Sequence, residues 1–101
     1  MNIPRGFKAV KQAVIAALQQ NRYTWEERGN SIDTKNLLAT GAVSSATVAA
    51  MLMRCKGSEH QTSPHHVINS VEVHVIKTQG WYIKFYFLDA DPDTVFISVH
   101  Q

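Results

Sequence analysis

A chain of 101 residues is enough for one hydrophobic core, and the expectation is a single domain over 1–101. Hydrophobic residues make up 45% and charged residues 18%, which excludes a disordered polyelectrolyte; a formal charge of +2 permits a polyanionic partner without demanding one. The lone cysteine, Cys55, excludes an internal disulfide framework, and no apolar run approaches the roughly 18 residues that cross a bilayer, so the chain is expected to be soluble, cytoplasmic and without a membrane partner.

Phe7, Val10, Val14 and Leu18 recur at helical spacing behind Pro4, which suits a first turn, and predict a helix from about Pro4 to Gln20. Residues 21–31 carry no clean helical period; Tyr23 and Trp25 read as anchors of a connection with a short extended piece, and Gly29-Asn30 as a turn. Asp33 is placed to cap a short helix through Asn36, Leu37 and Leu38 that Gly41 ends. Ser44 or Ser45 then caps a third helix with Val48, Met51, Leu52 and Cys55 on one face and Gly57 just past its end. Residues 57–66, polar and holding Gly, Ser and Pro, read as a surface loop.

The last third reads as three antiparallel strands with period-two alternation, SVEVHVIK, WYIKFYFL and TVFISVHQ. Val71, Val73, Val75, Trp81, Ile83, Phe85, Phe87, Val95, Ile97 and Val99 form one apolar set, the expected core face. The other set holds Glu72, His74, Ile76, Tyr82, Lys84, Tyr86, Leu88, Phe96, Ser98 and His100, the expected working face. Matching apolar to apolar requires a three-residue Thr78-Gln79-Gly80 loop, pairing Val75 with Ile83 and His74 with Lys84. A five-residue turn at 89–93 then pairs Phe85 with Ile97, Lys84 with Ser98 and Tyr82 with His100. The fold class is therefore α+β, with N-terminal helices packed on one face of an antiparallel sheet of at least three strands.

These registers gather His74, Tyr82, Lys84 and His100 into one patch, with Ser98 and Tyr86 at its edge. Cleaving RNA without a metal needs a base for the 2′-hydroxyl proton, an acid for the leaving 5′ oxygen and a cation against the charge building on phosphorus. Imidazole, phenol and ammonium supply all three. His100 is the preferred acid or base, Lys84 the electrostatic clamp, and Tyr82 or His74 positions the phosphate or shares the proton work. The rings of Tyr82, Tyr86 and Phe96 offer stacking surfaces to unpaired bases. The plainer explanation is that one face of an antiparallel sheet carries polar residues because it meets water.

Three other clusters carry less. His60, His65 and His66 lack the ligand spacing of a zinc site and read as a polar rim, with His65 and His66 placed to contact phosphate. Cys55 lies on an apolar stripe near a helix C-terminus, a packing position and not that of a nucleophile. Asp89, Asp91 and Asp93 lack the glycine and glutamate of a calcium loop. No metal or other cofactor is expected.

The segment WYIKFYFLDADPDTVFISVHQ resembles the end of bacterial type II toxins of the RelE-like superfamily, and more narrowly of the MqsR family of messenger-RNA interferases. The likeness lies in Tyr82-Ile83-Lys84 and in a last strand, Val95 to Ser98, that leads through Val99 to His100. It implies a RelE-like fold and an endoribonuclease that cuts messenger RNA and is silenced by a cognate antitoxin protein, with Tyr82 as the sheet tyrosine and His100 in place of the basic terminal residue. The family's loop lysine and first-strand glutamine have no counterpart at residues 57–60 and 71–72. The alternative from a different class is a small non-catalytic binding module, such as an accessory protein of a mobile element, that uses the same face for a ligand, a protein or a second copy of itself. An open edge at strand 71–77 or 95–100 would serve a homodimer.

Overall fold

The computed structural model describes residues 3–26, 36–68, 70–89 and 93–101. Among them are three α-helices and a five-stranded mixed sheet, an α+β arrangement. Asp33, Gly29-Asn30 and Asp91 lie outside the described residues.

Helix α1 (Phe7–Gln19) begins three residues later than Pro4 because Gly6 takes a left-handed φ of 79°, which no helical turn can include. Val10, Val14, Ala17 and Leu18 form its buried stripe. Asn21, at φ 59°, ends it: the Arg22 N–H turns back to the Ala17 carbonyl at 2.8 Å, satisfying an otherwise orphaned acceptor. Strand β1 (Tyr23–Trp25) follows, the short extended piece expected before the turn. Helix α2 (Leu37–Thr40) is capped by Asn36, whose side chain accepts from the Ala39 N–H at 3.1 Å, and stops at left-handed Gly41. Helix α3 (Ser45–Met53) is capped by Ser44 through the Thr47 N–H, and its buried face of Val48, Ala49, Met51 and Leu52 packs with α1 over the sheet.

The expected loop at 57–66 is instead a 3-10 turn (Gly57–Glu59) and strand β2 (His60–Pro64). Its HQTSP sequence carries no hydrophobic alternation because it is an edge strand, exposed over most of its length and held through its main chain; Pro64 is tolerated there. Strands β3 (Glu72–Thr78), β4 (Trp81–Phe87) and β5 (Thr94–His100) complete the sheet in the order β1-β5-β4-β3-β2, with β1 parallel to β5 and the other pairs antiparallel. Strand β3 is paired on both sides over residues 73–76, whereas β5 is covered by β1 only over residues 94–96, with Asn36 bridging to Val99. The Arg22 guanidinium pairs with the Asp93 carboxylate where β1 and β5 start.

Two registers differ from the sequence reading. The β3–β4 turn is a two-residue Gln79-Gly80 turn with both residues at positive φ, 54° and 82°, so Thr78 pairs with Trp81, Ile76 with Ile83 and His74 with Phe85. That one-residue slip turns every β3 side chain over. The second difference is a bulge: Lys84 pairs with Ser98 and Tyr82 with His100, as expected, but Phe85 pairs with Phe96, leaving Ile97 as the extra residue.

The two slips give the sheet apolar groups on both faces. Ile76, Ile83, Phe85, Phe87, Phe96 and Val99 join the helices in the main core. Val73, Val95 and Ile97, assigned by alternation to that core, form a second cluster with Tyr86, and Val71 packs against it.

Candidate functional site

On the second face of the sheet the pairing lays side chains out in rows. Lys77, Tyr82 and His100 form the outermost row, and Val75, Lys84 and Ser98 the next. The Tyr82 and His100 rings stack, with centroids 5.0 Å apart and planes 18° from parallel. The Lys77 ammonium lies 5.9 Å from the centre of the Tyr82 ring, a cation over a π face. Tyr82, Lys84 and His100 are all half-buried, while Ser98 is buried beneath them.

The tautomer of His100 follows from the hydrogen bond at its Nδ1. Its Nδ1 is 3.0 Å from the Gln101 carbonyl oxygen, which can only accept, so Nδ1 is the protonated nitrogen and any lone pair of the ring lies on Nε2. Nε2 is the nitrogen able to take a proton from a substrate.

His74, expected in this patch, lies on the other face, the one that packs against the helices. It is 1% exposed, packs against the Phe85 and Phe87 rings, and meets the Nε2 of His60 through its Nδ1 at 3.0 Å. Burial, and then the neighbouring His60, push its pKa down to about 4; burial also pushes His60 down. The slip of the β3–β4 turn put it there, and no substrate on the second face can touch it. Phe96 is likewise no stacking platform. The bulge carries it fully into the core, 5.7 Å from both the Phe85 and Tyr23 rings.

Tyr86 and His65 also turn inward, around a residue that the sequence did not single out. The Tyr86 hydroxyl donates to Glu26 Oε2 at 2.9 Å, and His65 Nε2 donates to the same oxygen at 3.2 Å. His65 Nδ1 accepts from the N–H groups of Val67 and Ile68, each at 3.1 Å. Both nitrogens of this imidazole are thus engaged inside the protein, and at 4% exposure it pins the turn before β3. Burial, assisted by the Glu26 carboxylate, pushes the Tyr86 phenol up to about 12. His66 remains exposed, stacked on His65 at 4.7 Å.

Cys55 is buried, and burial pushes its thiol up from its ordinary value, as suits a packing residue. Among the described residues, no group of three His, Cys, Asp or Glu side chains is arranged to hold a metal ion, and no helix is long and apolar enough to cross a membrane. A cleft of about 450 Å³ lies at the opposite end of β3, lined by Ile3, Arg5, Thr62, Val71, Glu72 and Phe87 among others, and by none of Tyr82, Lys84 or His100.

The outer row brings together Tyr82, His100 and, one row in, Lys84 and Ser98; His74 and Phe96 are removed from it and Lys77 is added. Comparison with known proteins returns no matching family model, curated protein or solved structure.

Proposed function

We propose that the protein is a metal-independent endoribonuclease acting on single-stranded messenger RNA, the toxin of a type II pair held inactive by an antitoxin protein. The observation that carries this reading is the Tyr82–His100 ring stack with Lys84 one row away, an imidazole, a phenol and an ammonium side by side on one face of a rigid sheet. The resemblance of residues 81–101 to the MqsR family, which rests on these same residues, points the same way.

In the proposed reaction His100 Nε2 removes the proton from a ribose 2′-hydroxyl, whose oxygen attacks the adjacent phosphorus. The Tyr82 phenol protonates the departing 5′ oxygen, and Lys84 offsets the negative charge that builds on the phosphoryl oxygens. The products are a 2′,3′-cyclic phosphate and a 5′-hydroxyl end, and the imidazolium returns its proton to the phenolate through water. A planar stack also accommodates an unpaired base, which favours a single strand over a duplex.

The test is cleavage of a single-stranded RNA by purified protein in excess chelator. Wild type is expected to release cyclic-phosphate ends, and His100→Ala to lower the rate by about 100-fold or more. Induction in a bacterial host should arrest growth with wild type and not with His100→Ala. RNA binding without cleavage, equal in both proteins, would overturn the nuclease in favour of a binding module.

A further inference from the structure

The row that holds Tyr82 and His100 has a third member whose place comes from the two-residue Gln79-Gly80 turn. With three residues in that turn, Lys77 would sit on the core side; with two, it stands directly opposite Tyr82, its ammonium 5.9 Å from the phenol ring. Lys77 is exposed, and no ion pair to an acidic group accompanies it among the described residues.

Lys77 and Lys84 stand on neighbouring strands in diagonal register, two residues from being directly opposite, because Val75 is the direct partner of Lys84. Diagonal positions on one face of a sheet lie about 7–8 Å apart at the backbone. Their long side chains can converge on one anion or diverge to two. Tyr82 shares a row with Lys77 and a strand face with Lys84, and the His100 ring stacks on it. A single phosphate is served by one of these ammoniums; two of them in diagonal register beside an aromatic ring match a polymer whose phosphates alternate with flat bases.

We infer that Lys77 is a phosphate-binding residue of this face and that the site engages two successive phosphates of a single-stranded RNA, one at Lys84 beside the reacting group and one at Lys77. This rests on the nuclease reading for the identity of the polymer. Lys77 itself is a positioning residue: it holds the strand while His100 and Tyr82 act.

The experiment measures binding of a 2′-deoxy-substituted, uncleavable RNA oligonucleotide by fluorescence anisotropy across a salt series. Loss of one phosphate contact lowers the slope of log affinity against log salt by about 0.7 for a single strand. Lys77→Gln is expected to show that decrease and a roughly 5-fold weaker affinity at moderate salt, and Lys77→Arg to keep the wild-type slope. Lys8→Gln, on the exposed side of α1, should leave the slope unchanged. A wild-type slope in Lys77→Gln, or an equal decrease in Lys8→Gln, would overturn the inference while cleavage by wild type left the nuclease reading standing. A slope decrease confined to Lys77→Gln in a protein that binds but never cuts RNA would support the phosphate role and remove the nuclease instead.

Discussion

His74 and His100 sit on adjoining parts of one sheet, yet the two faces give them opposite chemistry. His74 is buried on the core face with a second imidazole at 3.0 Å and is held neutral until about pH 4. His100 is half-buried on the other face, with its Nδ1 bound to the Gln101 carbonyl. An imidazole acts as a proton carrier only where a substrate can reach it; in a sealed core it becomes a packing group whose protonation costs stability.

The comparison is broken most severely by emptying the covered face. Phe96→Ala is expected to cost about 3–5 kcal/mol by deleting a fully buried ring, measured by urea denaturation. Tyr82→Ala, on the second face, should cost far less and act on RNA binding instead. If the Phe96 variant were near neutral, the bulge that carries that ring inward would be wrong.

The next largest effect is acid sensitivity from the covered histidine. Its folded pKa is lowered below the ordinary 6.5, so its contribution is complete above pH 6.5 and is lost as the pH falls toward about 4, where the unfolded chain is protonated and the folded chain is not. The loss amounts to about 3 kcal/mol over that window, and His60, lowered for the same reason, adds to it in the same direction. Denaturation series at pH 7.5 and 4.5 should show the decrease in wild type and most of it gone in His74→Phe. A change of the same size in both proteins would assign the acid loss elsewhere.

The smallest effect sharpens the comparison within the second face. Tyr86→Phe removes the hydroxyl that donates to Glu26 and should cost about 1 kcal/mol near neutral pH, with RNA cleavage retained. Wild type should also lose stability as the pH rises from 10 toward 12, because the buried phenol stays protonated after the unfolded one ionises, and the Phe variant should not share that loss. Abolished cleavage in a stable Tyr86→Phe would move Tyr86 from the structural cluster into the site.

Several features were legible along the chain. The buried stripe of α1, the Ser44 cap, the Gly41 stop and the alternation of β4 are local signals, each set within a few residues. The pairs Tyr82–His100 and Lys84–Ser98 also follow from matching strand to strand. Strand β2 was not legible, because an edge strand exposed on both sides needs no hydrophobic pattern. Nor was the part played by Glu26, whose carboxylate accepts from His65 and Tyr86, 39 and 60 positions away.

By itself, then, the amino-acid order determined that helices precede a terminal meander, which residues start and stop the helices, and that a phenol and an imidazole share one side of the sheet. Tertiary structure decided which of the remaining groups join them. Alternation specifies two faces for each strand but not which face meets which face of its neighbour when both sides hold valines. That choice was settled by a two-residue turn, a bulge at Ile97, and the availability of His60 as a partner that made His74 tolerable in the core.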